Sequence, residues 1–429
     1  MIKCYLLDGE FKEQHFNDFG KISEIVNENR KRLHNLRIDL VIEFLNKLRR
    51  KIIQDKDINA IAGVSYLSLW LSKDNLKRIC RLNYLDSSYF ENFKETENNF
   101  ELCAQPLGIV CHWIASNVPT LAFFSLVQSI LSKNGSVVKV PDENAALTLS
   151  ILKSLNEIEV DFEGHTYFGN DIVKSISIVS FDGDNHEMSK SFSLIADCKI
   201  IWGGSEAVKA ITALQQKEHC QIISFGPKYS FGAFDREFIE SEYFDKALEN
   251  SVFDVAVFNQ MACSSPHVFF FEKSRYTIKE IAKKIEFHFR KLPDKLLKQE
   301  LPQETAAKII NMRGLYLLED DKDILKSDDM SWTILLNNNI DLEEPVQGRC
   351  VFIKEIDNIN KVLELLTRKI QAVSVCILNP EKKREFAGNA AYKGVDRIVI
   401  PGKIHDFDLP WDGILTLNRL VRWTILKNK

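Results

Sequence analysis

Apolar side chains in the N-terminal part of the chain recur with the period of a helix. Between residues 27 and 55 the apolar positions follow one another at spacings of three to four residues: Leu33, Leu36, Leu40, Phe44, Leu48 and Ile52. This spacing predicts one long amphipathic helix. Lys and Arg are frequent on its polar face, but Glu and Asp interrupt them, which favours a solvated helix packed on the protein over a membrane-surface helix.

A different pattern begins near Pro106. Short apolar runs alternate with stretches long enough for crossover helices. The strand-like runs are residues 108–114, 136–140, 175–180, 199–202 and 221–225. The helical stretches between them are residues 119–132, 142–155, 187–194 and 205–217. The alternation predicts a parallel α/β sheet of the nucleotide-binding type.

A second mixed region follows from about residue 226 to residue 380. It contains a very apolar strand at 267–272, and its charge-dense stretch 319–329 indicates a solvated loop or helix surface. We therefore predict an α/β protein whose parts are a helical N-terminal segment packed on the next domain (1–95), a dinucleotide-binding domain (96–225), a second α/β domain (226–394) and a C-terminal segment that returns to the dinucleotide-binding domain or serves oligomerisation (395–429).

Composition excludes several classes of protein. The chain of 429 residues is 45% hydrophobic and carries a formal net charge of −4, so neither disorder nor binding to nucleic acid or an anionic membrane is indicated. Nine cysteines include no C-x-x-C pair, which excludes a disulfide framework and a zinc ribbon, and we expect no metal cofactor. Because no signal peptide and no membrane-spanning run is found, we expect a cytoplasmic protein.

One cysteine lies in a distinctive loop. Within residues 258–272, Cys263 stands among small residues directly before the apolar strand. A loop of this kind can hold a thiol at the mouth of a site and offer backbone N–H groups to an oxyanion. Taken by itself, Cys263 is more simply a buried structural thiol. The motifs elsewhere in the chain favour a nucleophile.

These motifs resemble a known family. Residues 105–119 (QPLGIVCHWIASNVP) and 133–141 (KNGSVVKVP) are similar to the cofactor-domain core of aldehyde dehydrogenases. With WGGSE at 202–206, the Cys263 loop and the ending from WDG at 411–413 to RW at 422–423, they resemble the LuxC-type acyl-CoA reductases from about residue 100 onward. The resemblance implies an aldehyde dehydrogenase-like fold with a Rossmann-type cofactor domain and an α/β catalytic domain, which would hold Cys263.

The resemblance also implies roles for individual residues. Asn117 would donate its side-chain amide to the oxyanion formed when Cys263 attacks a carbonyl, together with the Cys263 backbone N–H. An asparagine before a predicted helix also suits an N-cap, and both roles are compatible. Gly203, Gly204 and Ser205 would hold the pyrophosphate of a dinucleotide at a helix N-terminus, although the G-x-G-x-x-G fingerprint is absent.

Two further residues would contact the adenosine ribose. Lys139 would reach it from a strand end, where an isolated lysine is usually only solvated. Asp142 would accept hydrogen bonds from the ribose hydroxyls and would repel a 2′-phosphate. The family resemblance implies NADPH, so Asp142 leaves both NADPH and NADH open. Residues 344–349 should include a contact to the nicotinamide ribose, but no single residue there is assigned.

Ser224 marks a departure from hydrolytic aldehyde dehydrogenases. Those enzymes carry a glutamate at this position, which activates water to hydrolyse the acyl-enzyme. A serine favours an acyl-enzyme that survives to receive hydride. His267, four residues after Cys263, is a candidate to assist the thiol, but a strand-edge histidine with a backbone partner is the simpler interpretation.

Together these residues predict an acyl-CoA reductase. It would reduce a long-chain acyl-CoA or acyl-protein thioester to the fatty aldehyde with NAD(P)H, through an acyl-enzyme on Cys263. Two alternatives remain open: a CoA-acylating aldehyde dehydrogenase that acts on a short aldehyde, and a non-catalytic scaffold subunit with a dehydrogenase fold. The resemblance further implies a homo-oligomer and an acyl-carrier protein or acyl-protein synthetase as partner.

Overall fold

The computed structural model describes residues 1–84, 86–96, 100–298 and 300–427. The chain forms two compact units. Unit 1 comprises Met1–Gly226 and Phe407–Lys429, and unit 2 comprises Pro227–Asp406. No helix in the described ranges has both the length and the apolar character needed to cross a membrane.

The strands, in chain order, are β1 (Ile2–Leu6), β2 (Gln14–Phe16), β3 (Lys94–Glu95), β4 (Phe100–Pro106), β5 (Ile109–Trp113), β6 (Gly135–Lys139), β7 (Glu159–Phe162), β8 (His165–Phe168), β9 (Ile176–Ser180), β10 (Cys198–Trp202), β11 (Gln221–Phe225), β12 (Tyr229–Phe234), β13 (Pro266–Glu272), β14 (Asp323–Lys326), β15 (Thr333–Leu336), β16 (Cys350–Ile356), β17 (Ile370–Cys376), β18 (Arg397–Val399) and β19 (Val421–Lys427).

The α-helices are α1 (Gly20–Asn35), α2 (Ile38–Gln54), α3 (Lys56–Asn59), α4 (Val64–Trp70), α5 (Lys73–Tyr84), α6 (Leu121–Leu131), α7 (Asp142–Asn156), α8 (Asn170–Val173), α9 (His186–Ile195), α10 (Ser205–Ala213), α11 (Arg236–Ile239), α12 (Phe244–Ala256), α13 (Ile278–Arg290), α14 (Asp294–Leu297), α15 (Gln303–Leu318), α16 (Pro380–Tyr392) and α17 (Thr416–Arg419). Short 3-10 helices cover Ser87–Phe90, Val257–Gln260 and Ile359–Leu365.

Unit 1 is built on a seven-stranded sheet in the order β11-β10-β5-β6-β9-β1-β2. From β11 to β9 the strands are parallel, whereas β1 runs antiparallel to β9. The five predicted strands and the crossover helices between them are confirmed, with α10 ending earlier than expected. The carboxyl ends of the parallel strands share one edge, here called the carboxyl edge, which is where open α/β sheets bind their ligands.

The N-terminal segment differs from the prediction in two ways. It is not purely helical, because β1 and β2 join the sheet of unit 1. The long helix predicted for residues 27–55 is also wrong: α1 ends at Asn35, and Leu36 and Arg37 are extended before α2 begins. The Glu91 carboxylate accepts a hydrogen bond from the N–H of Ile38 (2.8 Å) and so caps the new helix start. The predicted apolar positions are nevertheless all buried.

The C-terminal segment returns to unit 1. Strand β19 pairs along its whole length with β4, from Val421 opposite Pro106 to Lys427 opposite Phe100, and β3 extends this small sheet on the other side of β4. Residues 395–406, which the predicted boundary placed in this segment, lie in unit 2 because β18 pairs with β17.

Unit 2 is built on a second seven-stranded sheet in the order β14-β15-β16-β13-β12-β17-β18. Separate apolar cores cover its two faces: one includes α12 and α13, and the other includes α15 and α16. The predicted strand 267–272 is β13. The stretch 319–329, expected to be loop or helix surface, contains β14, which pairs antiparallel with β15 and stands at the end of the sheet order.

Candidate active site

Cys263 lies in a turn just before β13, at the amino ends of the parallel strands of unit 2. Its side chain is partly exposed. Of the nine cysteines, all of which are described, only Cys263 and Cys220 are not buried. A partly exposed position at a strand entry is compatible with a nucleophile and contradicts the interpretation of Cys263 as a buried structural thiol.

The backbone before Cys263 is strained. Residues 258–260 have φ angles of 56°, 52° and 61°, and residues 347–349 repeat this left-handed conformation with φ angles of 69°, 61° and 62°. For residues with a β-carbon each such conformation costs about 1–2 kcal/mol, so the surrounding contacts must hold it in place. The two runs hold one another: the N–H of Gly348 donates to the carbonyl of Asn259 (2.9 Å), and the buried Arg349 guanidinium donates to the Asn259 side chain.

Gln260 links the same two runs with its side-chain amide. Its Nε2 donates to the carbonyls of Pro266 (2.8 Å) and Cys350 (3.0 Å), and its Oε1 accepts from the N–H of Cys350 (2.9 Å). The side chain is completely buried. Gln260 therefore fixes the start of β13 to the start of β16. The Cys263 turn is held at both ends, at Gln260 itself and at Pro266.

Replacement of Gln260 by leucine is expected to lower the free energy of unfolding by about 3 kcal/mol, because the carbonyls of Pro266 and Cys350 lose the buried amide that donates to them, and the N–H of Cys350 keeps only its bond to the carbonyl of Gln347. Urea unfolding of the full chain measures the change. The matched control is Gln303→Leu, at the exposed start of α15, which should change the free energy by no more than about 0.5 kcal/mol. Equal effects of the two substitutions would contradict the role given to Gln260.

The Cys263 turn is also held from its other side. Ser230 Oγ donates to the Cys263 carbonyl (2.9 Å), and Ser264 Oγ lies 2.9 Å from Nδ1 of His405. His405 Nε2 lies 2.7 Å from the carbonyl of Asp254, which can only accept, so Nε2 carries the proton and Nδ1 accepts from Ser264. Burial lowers the pKa of His405 to about 4, and the ring is neutral. Sequence reasoning missed His405, because nothing in its local sequence links it to a turn so distant along the chain.

His267 occupies an unusual place in β13. Ser230 pairs with Pro266 and Phe231 with Val268, so His267 is an extra residue in a β-bulge, a feature that commonly redirects side chains near active sites. The ring is buried and lies 5.3 Å from that of Tyr229. Burial lowers its pKa to about 3, and Nδ1 has no hydrogen-bond partner within the described ranges. The backbone partner expected for this histidine is therefore not found at Nδ1.

The residues expected to bind a dinucleotide lie at the carboxyl edge of unit 1. Lys139 ends β6, and its ammonium lies 4.6 Å from the centre of the Phe181 ring. Burial lowers the pKa of Lys139, while Asp182 and its neighbour Asp184 act in the opposite direction. Asp142 begins α7 and is exposed. The structure thus places both predicted ribose contacts at the edge where such ligands bind.

Gly203 and Gly204 form the turn from β10 into α10, with Gly204 at the N-cap position and Ser205 as the first helical residue. A β-carbon added at Gly204 would meet nothing within 4 Å, whereas one at Gly203 would lie 3.2 Å from Cβ of Ala207. No described side chain caps this helix. Open space at the Gly204 β-carbon position and a helix start without a side-chain cap are compatible with the pyrophosphate of a dinucleotide.

Asn117 lies in the turn between β5 and α6 and is half-buried. The N-cap of α6 is Thr120, so the alternative role of Asn117 as the helix cap is wrong. The turn is held by Asn144, whose Nδ2 donates to the carbonyl of Ser116 (3.1 Å). Asn117 belongs to unit 1 and Cys263 to unit 2, and their joint action stays a prediction.

The end of β10, directly before the glycine turn, is fixed by Trp202. Its indole stacks on Phe225 with ring centroids 3.9 Å apart, and its N–H donates to Ser125 Oγ (3.1 Å). Ser125 Oγ in turn lies 2.8 Å from Nδ1 of His112. Ser224, next to Phe225, is exposed at the carboxyl end of β11.

Comparison with known proteins identifies the family. Residues 17–423 match the profile of the family described as acyl-CoA reductase (LuxC). The chain belongs to this acyl-CoA reductase family. Two curated relatives are the long-chain acyl-protein thioester reductases of Photorhabdus luminescens, 24% identical over 327 residues, and of Aliivibrio fischeri, 23% identical over 325 residues. Each alignment covers 75% of this chain and 64% of the relative, so the acyl-CoA reductase chain spans just under two thirds of the relatives' length.

Solved structures show the fold. An aldehyde dehydrogenase from Brucella melitensis biovar abortus matches with a TM-score of 0.71 at 11% identity, covering 99% of this chain and 93% of that one. Aldehyde dehydrogenase C from Pseudomonas syringae, solved as a mutant with NAD+ and octanal, matches with a TM-score of 0.67 at 10% identity, covering 100% and 93%. The predicted aldehyde dehydrogenase-like fold is confirmed for this member of the acyl-CoA reductase family.

Proposed function

We propose that this chain reduces a long-chain acyl thioester, delivered by CoA or by a carrier protein, to the fatty aldehyde with NAD(P)H. The observation that carries the proposal is the partly exposed Cys263 in a turn held by Gln260, Ser230 and Ser264. Membership of the acyl-CoA reductase family and the acyl-protein thioester reductases among its relatives support the substrate class.

Cys263 would act as a thiolate. Its sulfur forms a bond to the thioester carbon, the carbonyl becomes an oxyanion, and the bond to the departing thiol breaks, leaving an acyl-enzyme. Asn117 and the Cys263 backbone N–H are proposed to donate to the oxyanion. After reduction, the thiohemiacetal on Cys263 collapses, which frees the aldehyde and restores the thiolate.

Reduced nicotinamide, when bound, supplies the hydride that the acyl-enzyme receives. The residues proposed to hold the dinucleotide are Lys139 and Asp142 at the ribose and residues 203–205 at the pyrophosphate. NADPH is the proposed cofactor and NADH its alternative. Residues 344–349 remain the predicted place of a nicotinamide ribose contact, although 347–349 already support the backbone before Cys263.

Ser224 is proposed to keep hydrolysis of the acyl-enzyme slow, because serine is a poor general base for water. A Ser224→Glu variant should hydrolyse acyl-CoA to free fatty acid at least about ten times faster than the wild type when no cofactor is present, because a carboxylate can act as a general base. Steady-state release of fatty acid measures this rate. Ser224→Gln, which has the same shape without the base, is the control, and equal rates for the two variants would contradict this role.

Partners and location belong to the same proposal. An acyl-protein synthetase is proposed as the donor of the acyl group, in keeping with the names of the relatives. A homo-oligomer is supported by the edge strand β19, whose exposed apolar side chains include Trp423 and Ile425. A cytoplasmic location is supported by the nine cysteines, all described and none in a disulfide.

The deciding experiment supplies the purified protein with short-chain and long-chain acyl-CoA, each with NADPH or NADH, and measures aldehyde. We expect reduction with a preference for long chains. Faster oxidation of a short aldehyde in the presence of CoA would favour the CoA-acylating dehydrogenase. If there is no turnover, and intact-protein mass spectrometry finds no acyl adduct, the non-catalytic scaffold is favoured.

A further inference from the structure

His405 contacts the chain on both sides of Cys263. It lies in the loop that follows β18, and its ring is only 5% exposed. Nδ1 accepts a hydrogen bond from the hydroxyl of Ser264 (2.9 Å), the residue directly after Cys263. The ring also stands perpendicular to that of Phe258, with centroids 5.4 Å apart, at the start of the left-handed run before Cys263. One buried side chain from a distant part of the chain thus meets the Cys263 turn at both of its arms.

The orientation of the His405 ring is itself fixed. Its Nε2 donates to the carbonyl of Asp254 (2.7 Å) in the last turn of α12, one of the carbonyls that a helix end leaves without a partner inside the helix. The side chain of Asp254 accepts from the N–H of Gly402 (2.7 Å), and Arg397 donates to the carbonyl of Ile404 (3.0 Å). The loop and the tautomer of the imidazole are therefore set by contacts outside the turn.

The peptide unit after Cys263 is held from two directions. The Cys263 carbonyl accepts from Ser230 Oγ (2.9 Å), and the next residue, Ser264, is bound through its side chain to His405. Because a peptide unit is planar, these two contacts fix the direction in which the backbone leaves Cys263. A change in this direction would move the thiol, and a misplacement of about 1 Å can lower a reaction rate by about a hundredfold.

We propose that His405 is a positioning residue for Cys263: by accepting the Ser264 hydroxyl, it keeps the thiol aligned for attack on an acyl thioester. The inference rests on the proposed function, which makes Cys263 the nucleophile. The action of His405 passes through Ser264 and involves no proton transfer. Loss of the contact should therefore slow acylation of the thiol and leave its reaction with a small reagent almost unchanged.

Two substitutions of His405 separate positioning from packing. Asparagine places an acceptor near the position of Nδ1 and can keep the bond to Ser264, whereas glutamine reaches the position of Nε2 and can keep the bond to Asp254. Each variant loses one hydrogen bond of the ring, so a purely structural role would affect both alike. Acylation of Cys263 by a long-chain acyl-CoA without cofactor, followed by intact-protein mass spectrometry, should be about ten times slower in His405→Gln and within about threefold of the wild type in His405→Asn.

Alkylation by iodoacetamide is the readout that positioning should not move. It is measured in the Cys220→Ala background, where Cys263 is the one cysteine of the chain that is not buried. The alkylation rate of His405→Gln should stay within about threefold of the wild type, because a small reagent does not need a single alignment of the thiol. Ser264→Ala should slow acylation as much as His405→Gln, and the double variant should be no slower than either, since the two side chains act as one unit.

His288→Gln is the matched control. His288 is also a histidine of unit 2, is likewise 5% exposed, and its replacement should leave the acylation rate unchanged. Equal acylation by the wild type and His405→Gln, equal losses in the glutamine and asparagine variants, or a parallel loss of alkylation would overturn the positioning role. If the wild type formed no acyl adduct while iodoacetamide still modified Cys263, the proposed function itself would be wrong.

Discussion

Replacement of Cys263 by alanine is expected to reduce aldehyde formation by at least about a thousandfold, because the proposed acyl-enzyme needs the Cys263 thiol. Binding of the dinucleotide should not change, since the residues proposed to hold it lie in unit 1. Aldehyde release under saturating cofactor measures the first expectation. Calorimetric titration with NADPH measures the second.

Cys220→Ala supplies the matched control. Cys220 is the other cysteine that is not buried, and burial raises the pKa of its thiol. Its loss should leave activity unchanged. Intact-protein mass spectrometry after exposure to acyl-CoA should find one acyl group on the wild type and on Cys220→Ala, and none on Cys263→Ala. Full activity of Cys263→Ala would exclude covalent catalysis through this residue.

The backbone around Cys263 explains how a short, partly exposed turn can be kept in one conformation. The left-handed runs at 258–260 and 347–349 are individually unfavourable, and they persist because the Gln260 amide and the Arg349 guanidinium satisfy the groups that the runs expose. Burial lowers the pKa of Arg349 to about 10, so it remains charged at neutral pH. A turn fixed in this way can hold a thiol in one orientation without being covered.

The repeating elements could be predicted from the sequence, because their signals are local. The strands of unit 1 and β13 are continuous apolar runs, and a central parallel strand needs little else. The break between α1 and α2 could not be predicted in this way. Neither glycine nor proline marks it, and its cap is Glu91, which lies far along the chain from Ile38.

The candidate site likewise contains residues that could be predicted from local sequence and residues that could not. Cys263 could be singled out because small residues precede an apolar strand. Its supports, His405 and Arg349, could not, because each meets the turn only through the folded sheet of unit 2. Strand β1 was not predicted for a related reason: its antiparallel pairing with β9 joins segments that lie far apart in the chain, which no local pattern reveals.

The second large loss of activity is expected on replacement of Asn117. Its replacement by alanine should lower kcat by about a hundredfold to a thousandfold, the usual loss when one oxyanion donor is removed. KM for the acyl thioester and the affinity for NADPH should change little, because the oxyanion exists only during the reaction. Thermal unfolding of the variant, measured beside its activity, separates a loss of kcat in a folded protein from a loss of stability.

Asn117→Asp separates donation from packing. The aspartate keeps the size of the side chain but replaces the amide donor by an acceptor, so it should lose as much activity as the alanine variant. Asn156→Ala is the control: this half-buried asparagine ends α7, accepts a hydrogen bond from Asn170 (2.7 Å) and lies in the same unit. Activity within about threefold of the wild type in Asn117→Asp would show that the amide donates nothing to the reacting carbonyl. In that case the Cys263 backbone N–H would have to stabilise the oxyanion without it, and the turn held by Gln260 and Ser264 would be the source of that stabilisation.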